Sequence, residues 1–214
     1  MTFLTLMRIS EMRGPVLFSR RAFVVGGMAG LATFLLPKPG LAITSGEARA
    51  LVDRAVGEIN DVINSGKGEA AILRDFERIF QRYADVDTIA RSVLGPPARS
   101  ASSSEMAAFT DAFIGYVARK YGRRFREFAG SRIEVTGARP VKSYHEVQAT
   151  AKLRGQSPFA VSFFVSDRSG RDLFFDLRVE GISLLKAERA EVGALFDREG
   201  RSISRLTGAL KGIG

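Results

Sequence analysis

The chain has 214 residues, of which 45% are hydrophobic and 26% charged, a composition typical of one folded domain with its own core. It contains no cysteine, which excludes disulfide bonds and thiolate metal sites, and only one histidine. The formal net charge is +9; residues 1–42 hold five of the basic residues and one of the acidic residues, so the remainder has 27 basic and 22 acidic residues and a net charge of +5. That mild excess fits an ordinary surface, and it also fits a surface that contacts anionic lipid or nucleic acid.

The first 42 residues resemble a twin-arginine export signal. Residues 19–24 (SRRAFV) match its pattern of Ser or Thr, two arginines, any residue, Phe and an apolar residue. The apolar run that follows has about fifteen residues, fewer than a membrane-crossing helix needs, and Pro37 ends it. Gly40 and Ala42 supply small residues at positions −3 and −1 of a cleavage point after Ala42. We therefore predict an export signal over 1–42, removed in a bacterial periplasm, and a working domain over 43–214; the alternative is an uncleaved N-terminal anchor.

Four amphipathic helices are predicted in the first part of this domain. Apolar residues recur every three or four positions in four segments, over 44–63, 72–83, 85–94 and 104–128. Thr44 and Ser102 are each followed three residues later by glutamate, which is the spacing of a capping box at a helix start. Asp85 is a suitable N-cap for the third helix.

The longest of these helices has an aromatic face and a basic face. The basic face carries Arg119, Lys120, Arg123, Arg124 and Arg126. Such a run is commonly a solvated helix face, and the functional alternative is a rim that contacts lipid phosphates or an anionic membrane. Because the aromatic residues lie at the spacing of the opposite, buried face, the pattern does not favour nucleic-acid binding.

The next segments predict strands, because apolar and polar residues alternate with a period of two. Ile133 and Val135 indicate a short first strand. Three longer strands follow, whose apolar faces are Val147, Ala149, Ala151 and Leu153; then Phe159, Val161, Phe163 and Val165; then Leu173, Phe175, Leu177 and Val179. The short, turn-rich links between them favour antiparallel hairpins. We therefore predict a meander with one apolar, Phe-rich face that other elements must cover.

Two further helices are predicted after the strands, over about 183–196 and 203–210. This order of helices, strands and helices predicts the α+β class, with several helices packed on one face of a curved, mainly antiparallel sheet of four to five strands. Most of the sixteen phenylalanines would point inward. They indicate either a filled core or an apolar cavity between the long helix and the sheet, of a size for a hydrocarbon ligand, and periodicity does not distinguish the two.

The sequence contains no complete catalytic or metal-binding motif. His145 and Asp176 are candidates for acid-base chemistry, but no nucleophile motif such as Gly-x-Ser-x-Gly accompanies them. Asp167, Asp172 and Asp176 lie near one hairpin, where turns and pairing with neighbouring arginines account for them. We therefore expect no enzyme, no metal and no cofactor. A small periplasmic enzyme, or an adaptor with a filled core, stays as the alternative.

Several strings resemble the MlaC-like proteins, also called the toluene-tolerance family. Residues 83–95 (YADVDTIARSVLG) resemble a family block that contains the pattern Arg-x-x-Leu-Gly. Residues 175–184 (FDLRVEGISL) resemble a second block, Glu-Gly-Val/Ile-Ser, and Arg189 matches an arginine that follows it. Glu188 departs from the aromatic residue usual at its position. The long-helix signature is similar at Phe109, Phe113 and Tyr121.

This resemblance covers about 45–212 and implies a periplasmic lipid carrier of an ABC-type transport system. Such a carrier moves phospholipid between an outer-membrane lipoprotein complex and an inner-membrane permease with an MCE-domain subunit, which maintains outer-membrane lipid asymmetry. One branch of the family is associated with hopanoids, so a hopanoid is the alternative cargo; no nucleic acid is implied. The acyl chains would lie in a cavity between helices and sheet. We expect its lining to include Phe109, Phe113, Val117, Tyr121, Val147, Phe163, Phe175 and Leu177.

Overall fold

The computed structural model describes residues 43–123 and 129–213. Four helices come first: α1 Ser45–Ile63, α2 Glu69–Tyr83, α3 Val86–Leu94 and α4 Ser103–Gly122, with a short 3-10 helix at Pro96–Arg99. Five strands follow: β1 Arg132–Val141, β2 Tyr144–Lys152, β3 Phe159–Ser166, β4 Leu173–Val179 and β5 Ile182–Ser183. Two helices complete the described part: α5 Leu184–Arg198 and α6 Ile203–Gly212. The predicted export signal, and segment 124–128 of the predicted long helix, lie outside the described residues.

The predicted caps of α1, α3 and α4 are confirmed, whereas α2 begins three residues before the predicted apolar segment, at Glu69. Thr44 Oγ1 accepts a hydrogen bond from the Glu47 N–H at 3.2 Å, and the Glu47 carboxylate accepts one from the Thr44 N–H at 2.8 Å. Ser102 and Glu105 make the same exchange, at 3.2 and 2.9 Å. The Asp85 side chain caps α3. Since each cap stabilises its helix by about 1 kcal/mol, the local sequence is enough to set where these helices begin.

The strands form one antiparallel sheet in the order β1-β2-β3-β4-β5, which confirms the predicted class and meander. The first strand is longer than the prediction, which rested on Ile133 and Val135. Gly137 and Pro140 weaken the strand pattern in its second half, so the sequence did not indicate that part. A register shift between Val135 and Gly137 accommodates the glycine. Pro140 lies in β1 at the edge of the sheet, where proline is tolerated because one side of the strand makes no backbone pairing.

A β-bulge changes which phenylalanine of β4 faces the core. The pairing of β3 with β4 shifts register between Phe164 and Val165, and Val165 pairs with Phe174. Directly paired residues share a face, so Phe174 lies on the inner face with Val165. Phe175 lies on the outer face, where its ring centroid is 6.4 Å from that of Phe164. The predicted alignment of Phe175 with Leu177 is therefore wrong, since a bulge shifts the alternation by one residue.

The buried residues form two apolar clusters. The first lies between α1, α2 and the inner face of the sheet, and its members include Leu51, Val52, Val56, Ile79, Val147 and Phe163. The second lies among α3, α4, α5 and α6, and its members include Ile89, Val93, Phe109, Phe113, Val192 and Leu206. Phe174 packs against both clusters. The boundary between the two clusters therefore passes the ring of Phe174.

Candidate functional site

The helical members of the predicted lining lie together in the second cluster. Phe109 is 0% exposed and Phe113 is 1% exposed, and their stacked rings lie 6.0 Å apart. Val117 is buried in the same cluster, one turn further along α4. Helical spacing predicted that these three side chains share a face, and they do.

The sheet members lie in the first cluster instead. Val147 pairs with Phe163, and Phe163 pairs with Leu177, so the three side chains form a row across β2, β3 and β4. Val147 and Phe163 are buried and Leu177 is half-buried. The structure therefore brings the predicted residues together in two groups, one in each cluster. Their role in lipid binding stays a prediction.

Phe175 belongs to neither group. Its ring packs edge-on against Tyr144 at 5.5 Å on the outer face of the sheet, and Tyr144 packs edge-on against Phe164 at 5.6 Å. Phe164 in turn lies under the guanidinium of Arg178, 4.2 Å from its ring centroid. A cavity of about 310 Å³ adjoins this aromatic group, and its lining includes Asp85, Thr88, Tyr144, Ser166, Arg168 and Phe175.

Four phenylalanines mark the boundary between the two clusters, and we call them the aromatic seam: Phe76, Phe80, Phe163 and Phe174. The ring of Phe174 lies 5.7 Å from Phe163 and 6.4 Å from Phe80, and Phe80 stacks on Phe76 at 6.4 Å. The aromatic seam connects α2 to β3 and β4. Period-two reasoning missed Phe174 because the bulge is not visible in the pattern, whereas Phe76 and Phe80 could be assigned only to an apolar helix face.

Tyr121, the remaining helical member of the predicted lining, takes part in a polar network between α4 and α5. Its hydroxyl donates a hydrogen bond to Oε1 of Glu188, a residue that is only 4% exposed. Lys120 Nζ donates to the same Glu188 oxygen at 2.8 Å and to Glu191 at 2.6 Å. The Tyr116 hydroxyl donates to Glu191 at 2.8 Å. We call these five residues the α4–α5 polar network.

The α4–α5 polar network shifts the pKa of four of its members, Tyr116, Lys120, Tyr121 and Glu191. Burial raises the pKa of Tyr116 and of Tyr121, and hydrogen bonds to glutamate add to that effect. Burial by itself lowers the pKa of Lys120, but its hydrogen bonds to the two glutamates outweigh burial and raise that pKa. The hydrogen bond from Lys120 lowers the pKa of Glu191. At neutral pH both tyrosines are therefore neutral, while Lys120 and Glu191 are charged.

Glu188 departs from the aromatic residue that the family resemblance leads one to expect, and its contacts provide a reason. A buried carboxylate needs a cation and hydrogen-bond donors, and Lys120 and Tyr121 supply them. Its Oε2 atom is buried and has no hydrogen-bond partner among the described residues. The sequence carried no signal for this network, because Lys120 was assigned to a basic surface and Tyr121 to an apolar lining.

The described members of the basic face of α4 have partners within the chain. Arg119 donates to the Leu210 and Ile213 carbonyl oxygens, at 2.6 and 3.0 Å, and so caps the end of α6. Arg123 pairs with Glu69 of α2 at 3.1 Å, and Lys120 belongs to the α4–α5 polar network. These contacts favour structural roles for the three residues over the alternative of a rim for lipid phosphates. Arg124 and Arg126 lie outside the described residues.

The two candidates for acid-base chemistry also have structural contacts. His145 Nε2 contacts the Ile43 carbonyl oxygen at 2.8 Å, and Nδ1 contacts Ser45 Oγ at 3.0 Å. Asp176 accepts hydrogen bonds from Ser183 Oγ at 3.0 Å and from the Leu185 N–H at 3.2 Å, at the start of α5. Strand register places His145 and Asp176 on opposite faces of the sheet.

Over 43–123 and 129–213, no group of three or more His, Asp or Glu side chains could hold a metal ion, and no helix combines the length and apolar content of a membrane span.

Comparisons with known proteins agree with this architecture. The family described as MlaC protein matches residues 51–212. A search of curated proteins gave no match. Among solved structures, the fold is similar to that of the phospholipid-binding protein from Ralstonia solanacearum in complex with a phospholipid, with a TM-score of 0.67, 16% sequence identity, and coverage of 77% of this chain and 95% of that chain. Because the family match runs from within α1 to the last residue of α6, the chain belongs to the MlaC protein family.

Proposed function

We propose that this protein is a periplasmic carrier that binds phospholipid through its acyl chains. The observation that carries the proposal is the family match over 51–212, joined to a solved relative of the same fold that holds a phospholipid. The two apolar clusters supply what such a ligand requires, since each methylene removed from water contributes about 0.8 kcal/mol. The carrier delivers its cargo between an outer-membrane lipoprotein complex and an inner-membrane ABC permease with an MCE-domain subunit, which maintains lipid asymmetry.

The acyl chains enter along the aromatic seam. Phe163 belongs to the first cluster and Phe76 and Phe80 pack against the second, while Phe174 packs against both. A chain that enters there therefore displaces Phe174 and leaves the rest of each cluster packed. A chain that separates the clusters there contacts Phe113 and Val117 on one side and Val147, Phe163 and Leu177 on the other. Both groups of the predicted lining then face one ligand. Phe175 is omitted from this path because it lies on the outer face.

The test is native mass spectrometry, with lipid extraction, on protein purified without detergent from a Gram-negative host. We expect one bound lipid per chain, and the extract identifies it as phospholipid or hopanoid. A clean apo mass, together with no uptake from liposomes, contradicts the carrier and leaves the adaptor with a filled core. If the protein turns over the extracted lipid, and His145→Ala abolishes this turnover while the lipid content stays unchanged, the result contradicts the carrier and favours an enzyme.

A further inference from the structure

A second cavity, of about 560 Å³, lies where the end of α3, the 3-10 helix and α5 meet. Its lining includes three arginines, Arg91, Arg99 and Arg189, together with Ser92 and Gly95. The arginines come from three different elements, and all three side chains are exposed. None of them belongs to the aromatic seam or to the α4–α5 polar network, so the cavity is separate from the acyl-chain path.

Helix electrostatics account for two of these arginines but not for the third. Arg91 lies in the last turn of α3 and Arg99 in the last turn of the 3-10 helix, where a positive charge interacts favourably with the helix dipole. Arg189 lies in the N-terminal half of α5, where the dipole does not favour a cation. Its guanidinium crosses to the end of α3 and lies against Gly95.

The backbone conformation of Gly95, and not a lack of space, favours glycine at the point where Arg189 approaches. Its φ of +72° is in the region that favours glycine, and a Cβ at this position would lie 3.5 Å from Nη2 of Arg189. The guanidinium therefore lies within van der Waals range of this position, and both residues line the cavity. Arg189 is in this way brought to the same cavity as Arg91, although the two are far apart in the sequence.

The positive charge of the cavity is not neutralised within the described part of the chain. Over 43–123 and 129–213, the guanidinium groups of Arg91, Arg99 and Arg189 make no hydrogen bond or ion pair. Other arginines of the chain do have carboxylate partners; Arg82 pairs with Glu58 at 2.7 Å, for example. Three like charges around one cavity repel one another, and each guanidinium offers five N–H donors in a planar fork that suits an oxyanion.

We propose that this cavity binds a phosphate group, as a phosphate ester. Several guanidinium groups together match a tetrahedral dianion or a phosphodiester, through paired N–H donors. A volume of about 560 Å³ exceeds a bare phosphate and leaves room for the substituent of the ester. The phosphate comes either from a soluble ester or from the head groups of a phospholipid surface. The site does not depend on lipid carriage, because none of its residues lines the proposed acyl-chain path.

The first arm of the test uses soluble phosphate. The protein is titrated with inorganic phosphate and with glycerol 3-phosphate at constant ionic strength, and the backbone amide signals of Ser92 and Gly95 are followed by NMR. We expect saturable shifts in both, and a loss of affinity of about tenfold or more in Arg189→Ala. Arg189→Lys keeps the charge but loses the planar fork, so its affinity for phosphate is expected to fall between that of the unmodified protein and that of Arg189→Ala. Arg54→Ala, which removes an exposed arginine of α1 outside the cavity, is the matched control and leaves affinity unchanged.

The second arm identifies the source of the phosphate. Flotation is measured with vesicles of phosphatidylethanolamine and phosphatidylglycerol, and with phosphate-free galactolipid vesicles. If the protein binds the phospholipid vesicles but not the galactolipid vesicles, and Arg189→Ala abolishes this binding, the ligand of the site is the head group of a phospholipid. If the protein binds the soluble ester saturably, the ligand is a soluble phosphate ester. The proposal is overturned if the soluble phosphates do not shift Ser92 and Gly95 and the phospholipid vesicles show no binding that Arg189→Ala abolishes. It is also overturned if Arg54→Ala weakens binding as much as Arg189→Ala. Co-purifying lipid is measured on the same samples, so a failure of lipid carriage is seen separately.

Discussion

The backbone N–H of Ile43 donates a hydrogen bond to Oδ2 of Asp167 at 3.1 Å. The Ile43 side chain is buried in the first cluster, and its carbonyl oxygen contacts His145 at 2.8 Å. The chain just after the predicted cleavage point is thus attached to β2 and to the β3–β4 loop. If the export signal is removed after Ala42, as proposed, this N–H becomes a charged ammonium group beside a carboxylate.

Asp167→Ala is therefore expected to destabilise the exported protein by about 1.5 kcal/mol, since it leaves the N-terminal group without its acceptor. Urea unfolding measures the loss, and intact mass shows whether the chain starts at Ile43. Asp172→Ala, at an exposed position before β4, is the control and is expected to change stability little. Equal losses in the two variants contradict a specific role for Asp167.

Lys120→Met is expected to destabilise the fold by about 3 kcal/mol, because it leaves Glu188 buried without its cation. Replacing both residues, as Lys120→Met with Glu188→Leu, is expected to recover most of that loss, since no buried charge then lacks a partner. Urea unfolding of the two single variants and the double variant gives the interaction free energy between Lys120 and Glu188. Simple addition of the two single losses would show that Lys120 and Glu188 do not act as a pair.

Alkaline pH is expected to destabilise the protein through the same network. The pKa of Tyr116 and that of Tyr121 are raised by burial above the ordinary value of 10.0, so the folded state holds these protons more tightly than the unfolded state does. A group with a raised pKa contributes stability that is complete below the unfolded value and is lost as pH rises above it. The free energy of unfolding should therefore fall as pH increases beyond about 10.

Unfolding measured between about pH 8 and about pH 11 tests this dependence. Tyr121→Phe is expected to flatten the dependence of the free energy of unfolding on pH, because it removes one of the groups that hold their protons more tightly in the folded state. Tyr144→Phe is the control, since Tyr144 lies on the outer face of the sheet and takes no part in the α4–α5 polar network. If the free energy of unfolding depends on pH in the same way in Tyr121→Phe, Tyr121 does not contribute to that dependence.

Two adjacent phenylalanines of β4 test the path of the lipid. Phe174→Ala opens the aromatic seam and is expected to reduce co-purifying lipid, whereas Phe175→Ala changes only the outer face and is expected to retain it. Native mass spectrometry measures the lipid, and circular dichroism confirms that both variants are folded. The reverse result would place the ligand on the outer face, beside Tyr144.

The sequence by itself determined the class of fold and the starts of its helices. Capping boxes such as Thr44 with Glu47, and periods of 3.6 and two, arise from contacts within a few residues, so they can be identified without the fold. The sequence also indicated the α+β class and the meander, because short turn-rich links leave few other ways to pair the strands. The family resemblance likewise depended on contiguous strings.

The tertiary structure alone decided which side chains meet. A bulge of one residue in β4 exchanged Phe174 for Phe175 on the inner face, and the alternation of residue types does not show that one strand of a pair carries an extra residue. Periodicity marks an apolar face but not the element that covers it, so the predicted lining separated into two clusters. Arg91 and Arg189 share a cavity, and Lys120 meets Glu188, only because the chain folds back on itself. Contacts between distant segments depend on packing in three dimensions, which no local pattern encodes.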